Sequence, residues 1–141
     1  MGNPLFMIIQ GTTRIGKSYL IGAINQSLCM TTMSNPSPLL LLALTRVATF
    51  NIGASTIHSK LWIPITDFTQ LEGTRFTSFQ EEIAHIRYIL IDELSFIGQN
   101  LLKNIDSHLR QAFPQNADRI FVGTSFTDVN CIVYVNQYLK L

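Results

Sequence analysis

Charge is scarce in this 141-residue chain: charged residues make up 13%, against the ~25% of an ordinary soluble domain. Mean hydropathy is correspondingly positive, +0.25. A domain so poor in charge either covers its apolar surface with something else or is hard to keep dissolved, so the chain reads as a piece of a larger protein. The formal net charge of +1 is not the basic footprint of a nucleic-acid binder, although binding along a groove remains compatible with it. Cysteine is also sparse. Cys29 and Cys131 stand far apart and fit no metal-binding or redox spacing, so each is expected to be a small apolar residue in a reducing compartment. Long apolar runs are missing: Leu39–Ala43 falls far short of the ~20 residues of a membrane span. The start, Met1-Gly2-Asn3-Pro4, carries no cation, and Leu5–Ile9 is too short for the core of a secretion signal. Phe6 stands where a myristoylation signal requires Ser or Thr. The sequon Asn25-Gln26-Ser27 falls in a predicted helix of a chain without a secretion signal. The expectation is an intracellular protein that does not enter a membrane.

What is present alternates. Leu5–Gln10 is a short apolar run bounded by Pro4 and Gly11, consistent with a buried strand. Ser18–Cys29 has Leu20, Ile21, Ile24 and Leu28 at helical spacing. A Ser/Thr/Asn/Pro-rich loop, Thr31–Pro38, leads to a second strand at Leu39–Leu44. Arg46–Ile52 reads as a short helix ended by Gly53. Trp62–Thr74 is irregular, Phe79–Ile86 a modest helix, and Tyr88–Ile91 a third buried strand closed by Asp92-Glu93. Gln99–Phe113 is amphipathic, with Leu101, Leu102, Ile105 and Leu109 on one stripe, and stops at Pro114. One or two strands are expected within Ile120–Val135. Strands alternating with helices predict an α/β fold: a parallel sheet covered by helices on both faces. No repeat and no domain boundary interrupts it.

Two motifs carry chemistry. Gly11-Thr12-Thr13-Arg14-Ile15-Gly16-Lys17-Ser18 satisfies GxxxxGK(S/T), the phosphate loop. Its glycines let the backbone wrap a phosphate, the next helix aims N–H groups and its positive dipole end at it, Lys17 reaches the terminal phosphates, and Ser18 is placed to ligate Mg²⁺. The second is Asp92-Glu93 at the end of an apolar strand. There a carboxylate can hold the same Mg²⁺ through water, and the following Glu can polarise an attacking water. Alone this pair could be a solvated turn; some 75 residues after a phosphate loop it is far more specific.

A third segment, Ala43-Leu44-Thr45-Arg46-Val47-Ala48-Thr49-Phe50-Asn51-Ile52-Gly53-Ala54-Ser55-Thr56-Ile57-His58-Ser59, answers to no general principle. It resembles APTGVAAFNIGGSTIHS of the PIF family, ATP-dependent 5′→3′ DNA helicases of superfamily 1B. Gly11–Ile21 is similar to that family's GTAGTGKSYLI, and Ile91–Arg110 to its IDE(M/L)S…LL…ID…LR. The resemblance covers about residues 5–119 and leaves 120–141 as a divergent tail. It implies a single RecA-like motor domain over 1–141, incomplete on its C-terminal side and lacking the second motor domain. By position it implies Lys17 on the β- and γ-phosphates of ATP, within a loop formed by Gly11, Thr12, Thr13, Arg14, Ile15, Gly16 and Ser18. It further implies Mg²⁺ on Ser18 and Asp92, water activation by Glu93, and single-stranded DNA on Thr45, Thr56, His58 and Ser59. For His58 a histidine satisfied within its loop is the competing reading, and no Cys/His cluster makes it a metal ligand. Nuclear or mitochondrial work in DNA repair, recombination and telomere maintenance is what the family implies.

The chain also departs from the family pattern. Arg14, Leu44 and Arg46 replace its Gly, Pro and Gly. The family continues PFGG…GD..QLPP, whose Asp and Gln sense the γ-phosphate. An ungapped match puts Asn130-Cys131 at Gly-Asp and Tyr134 at Gln; sliding the match to Ile120–Gly123 puts Thr124 at the Asp. Neither restores the sensor, so the isolated chain is expected to be an impaired helicase fragment. A non-catalytic nucleotide- or protein-binding module, or an unrelated P-loop ATPase or kinase, is the alternative.

Overall fold

The computed structural model describes residues 5–11, 16–33, 36–66, 70–93, 96–118 and 131–137. In chain order these form β1 (Leu5–Gly11), α1 (Lys17–Thr32), β2 (Leu39–Ala43), α2 (Arg46–Ile52), β3 (Ser55–Thr56), α3 (Ile57–Lys60), α4 (Gly73–Ile83), β4 (Tyr88–Asp92), α5 (Gln99–Ala112) and β5 (Cys131–Gln137). The strands make one five-stranded sheet in the order β1-β5-β4-β2-β3, and every pairing is parallel. A parallel strand needs a crossover to reach its neighbour, so all the carboxyl ends emerge at one edge. This is the α/β, RecA-like architecture the sequence predicts.

Side-chain alternation along the strands divides the core in two. Leu40 and Leu42 of β2 and Ile89 and Ile91 of β4 point to one face, against Ile57 and Leu61, Phe79 and Ile83 of α4, and Ile105 and Leu109 of α5. Leu39, Leu41 and Leu90 point the other way, against Ile21, Ile24 and Leu28 of α1 and Ile52 of α2. Both faces are therefore covered, and β2 and β4, buried along nearly their whole length, carry unbroken apolar runs for that reason.

Local signals set most helix ends. The Thr45 side chain accepts from the Ala48 N–H to cap α2, and Gly53, at φ +67°, ends it with its N–H on the Thr49 carbonyl. Only a residue without a Cβ adopts that left-handed backbone freely.

Two expectations need correction. α4 starts at Gly73 and ends at Ile83, not at Phe79 and Ile86: Phe76, Phe79 and Ile83 share one stripe toward the core, and Gly73, within the stretch read as irregular, opens the helix. β3 and α3 occupy the stretch following Gly53, where no element was predicted. A strand expected late in the chain is β5, which lies between β1 and β4 and is the only strand with which β1 pairs among the described residues.

Candidate nucleotide site

Four features meet at the carboxyl edge of the sheet. β1 ends at Gly11, next to Gln137 of β5. β4 ends at Asp92, next to Val135 of β5 and Ala43 of β2, and Ala43 is next to Thr56 of β3. With strands ~4.8 Å apart, the whole edge spans roughly 20 Å. α1 begins at Lys17 on the same side, directly after Gly16, whose φ of +87° makes the sharp entry into the helix. The first turn of α1 contains no acidic residue, so the positive end of its dipole is left available to an anion.

Lys17 and Asp92 are both buried, each with only 8% of its surface exposed. Burial is the largest influence on the Asp92 carboxyl and raises its pKa, as does the charge of Glu93. The Glu93 amide and the Lys17 ammonium pull it back down. A buried carboxylate left under-compensated by its own protein suits a divalent cation. Glu93 follows with its amide on Asp92 Oδ1 at 3.0 Å and its backbone at φ +57°, a left-handed conformation that costs a non-glycine residue about 1–2 kcal/mol. Strain of this kind concentrates at sites where position matters more than stability.

Ser18 is exposed at the start of α1. Thr12, Thr13, Arg14 and Ile15 lie outside the described residues. The predicted DNA-facing residues flank this edge on β2 and β3. Thr45 and Thr56 cap α2 and α3, accepting from Ala48 N–H and Ser59 N–H at 3.3 Å each. Each hydroxyl keeps its proton for an outside acceptor, since neither donates to any group among the described residues. Ser59 is exposed. His58 Nδ1 lies 3.1 Å from the Ile63 carbonyl; a carbonyl only accepts, so Nδ1 donates, and the ring has a partner within its own loop.

Cys131, put at the pattern's Asp by the ungapped match, opens β5 opposite Leu5 and Tyr88, at the far edge of the sheet. At ~3.3 Å per residue it stands some 20 Å from Gln137. β5 instead delivers Val135, Asn136 and Gln137 to the carboxyl edge, beside Ile9, Gln10 and Gly11.

Comparison with known proteins bears on the family and the fold. The family profile described as PIF1-like helicase matches residues 1–129. The chain is 29% identical over 117 residues to the ATP-dependent DNA helicase PIF4 of Trypanosoma brucei brucei, covering 79% of this chain and 14% of that protein. The structure superposes on Bacteroides Pif1 helicase solved with ADP-AlF3 and single-stranded DNA, at a TM-score of 0.71 and 22% identity, over 94% of this chain and 28% of that one. It superposes on Pif1 helicase of Candida albicans at 0.67 and 20% identity, over 93% and 28%. The chain thus spans well under a third of the length of these relatives. Among the described residues no helix is long and apolar enough to cross a membrane.

Proposed function

Because the chain belongs to the PIF1-like helicase family, we propose that it is the nucleotide-binding part of a first motor domain, taking Mg-ATP at the carboxyl edge of the sheet and single-stranded DNA on the adjoining β2 and β3 ends. The observation that carries the reading is the burial of Lys17 at the start of α1 within electrostatic reach of Asp92 at the end of β4. In a protein binding no phosphate, burying this pair would bring desolvation with little return.

In this reading the loop from Gly11 to Gly16 wraps the phosphates with backbone N–H groups, and Lys17 holds the terminal ones. Ser18 and Asp92 hold Mg²⁺, which when bound supplies positive charge against the phosphoryl oxygens. Glu93 orients the attacking water. Thr45, Thr56 and Ser59 hold DNA phosphates, and His58 lines the path. Hydrolysis by the isolated chain stays near background. Neither placement of the family's γ-phosphate sensor on this chain restores its Asp and Gln, and an arginine finger from a second motor domain is worth 10³–10⁵ in rate in related systems. ATP-driven unwinding belongs to a complete two-domain motor.

The test is calorimetric titration with a non-hydrolysable ATP analogue, with and without Mg²⁺. Binding should need Mg²⁺ and vanish in Lys17→Ala, which removes the fixed cation at the terminal phosphates. Equal affinity of wild type and Lys17→Ala would sink the reading, as would DNA-stimulated turnover of about 1 s⁻¹ or more for the expectation of impaired hydrolysis.

A further inference from the structure

We propose that the outer edge of β2, over residues 39–41, receives an extended peptide segment of a partner protein, which runs parallel to β2 and sets an acidic side chain opposite Leu40. The site lies on the amino half of β2, away from the nucleotide edge, and goes beyond the function proposed above without depending on it.

β2 has one full neighbour and one short one. β4 pairs with it from Leu39 to Ala43, whereas β3 pairs only with Leu42 and Ala43. The remainder of that side is an open strand edge roughly 10 Å long, at ~3.3 Å per residue. Such an edge is a template for another strand. The backbone groups it offers follow from the pairing. The Pro38 carbonyl accepts from the Tyr88 N–H at 3.1 Å, so it faces β4. Backbone groups alternate sides along a strand, so those of Leu40 and Leu42 also face β4, while those of Leu39 and Leu41 face outward. The Leu39 N–H is held by the Ser37 hydroxyl at 3.2 Å, and the Leu41 carbonyl faces Ser55, the partner of Leu42 in β3. The Leu39 carbonyl and the Leu41 N–H are left, one acceptor and one donor astride Leu40. A parallel strand fills both with a single residue, its N–H on Leu39 and its carbonyl on Leu41. An antiparallel strand would need the Leu39 N–H or the Leu41 carbonyl, and both are engaged.

A groove of about 250 Å³ follows this edge, lined by Asn25, Ser37, Lys60 and His85 beside the three leucines. It is smaller than the ~300–1,000 Å³ of small-molecule pockets, which favours a few residues of extended chain over a nucleotide or cofactor. A residue opposite Leu40 puts its side chain on the same face as Leu40, where Leu40 packs with Leu61 and Ile86. Lys60 and His85 are the chain neighbours of those two residues, and no carboxylate lines the groove. Glu82 takes one bond from the Lys60 ammonium, at 2.5 Å, out of the three such a group can donate. The other two, with the exposed His85 ring, suit an acidic side chain.

The experiment is two-dimensional NMR of the ¹⁵N-labelled whole chain, titrated with the capped peptide Val-Thr-Glu-Thr-Val. The Leu41 amide should shift and saturate. Glutamine in place of the peptide's glutamate should weaken binding about 10- to 100-fold, the range for losing a charge-assisted hydrogen bond. Methylating the glutamate backbone nitrogen, which removes the donor to Leu39, should weaken it about 2- to 10-fold. Lys60→Met should weaken the glutamate peptide and leave the glutamine peptide unchanged, which a misfolded variant would not do. A spin label on the peptide's amino end should broaden Ser37 and spare Ser55. Broadening of Ser55 instead, equal affinity for the two peptides, or no saturable shift of Leu41 up to the peptide's solubility limit would each overturn the proposal. A Leu41 shift that follows protein concentration without peptide would make the occupant a second copy of this chain, and the proposal fails by that outcome too.

Discussion

The Glu93 amide donates to the carboxylate of Asp92, its own neighbour, across 3.0 Å, and Glu93 holds a left-handed backbone at φ +57° while doing so. Asp92 stays buried at the sheet edge and Glu93 is only partly covered. The roles proposed for them, a metal ligand and a water-orienting group, call for that difference in exposure.

Asp92 makes the stability of the chain depend on pH in an unusual direction. Burial and the Glu93 charge raise its pKa above the ordinary aspartate value, so the folded chain binds this proton more tightly than the unfolded chain does. Its contribution is fully present below about pH 4 and is lost as pH rises through the folded pKa. Asp92→Asn should therefore raise the melting temperature at pH 7, have little effect near pH 3, and abolish Mg²⁺-dependent nucleotide binding. Thermal unfolding at the two pH values checks the sign.

Glu93→Gly should relieve the left-handed backbone. The gain of ~1–2 kcal/mol from the lost strain is partly offset by the greater entropy of an unfolded glycine, ~0.4–1 kcal/mol. The net outcome is a stabilisation between about 0 and about 1.6 kcal/mol by denaturant titration, with nucleotide binding preserved. A destabilisation would mean that the Glu93 side chain supports the fold.

Ending the chain after Asp118 should cost far more than the length removed suggests. β5 is the strand that joins β1 to β4, so without it β1 loses its pairing and α1 loses the strand that positions its start. The shortened chain should lack a cooperative unfolding transition by circular dichroism and should not bind the ATP analogue. A cooperative transition at the full-length midpoint would show the tail to be dispensable.

Arg14→Gly should tighten nucleotide binding. If the loop needs a glycine-like backbone there, the substitution restores N–H donors to the phosphates, each charge-assisted bond being worth ~1.5–3 kcal/mol. If Arg14 instead serves as a substitute cation, the same change weakens binding. The steric account is favoured because backbone donors act together, so a mis-set loop loses several at once. Calorimetry on the two forms decides by the sign alone.

The parts of the site written within a few residues of one another were legible without coordinates. Gly16-Lys17-Ser18 opens a helix after a strand, Asp92 closes a strand, and α2 runs between Thr45 and Gly53, because caps, glycine turns and apolar runs act over a turn or a strand's length. The order of strands is different in kind. Nothing near Cys131 says that the last strand of the chain enters between the first and fourth, because that choice is made by which apolar faces can be buried together across more than a hundred residues. It decides that Asn136, and not Cys131, comes to the carboxyl edge of the sheet. Exposure is equally non-local: Ile52 and Phe50 are both apolar and two residues apart on one helix, and only the position of the sheet beneath determines that Ile52 packs on it while Phe50 stands in solvent.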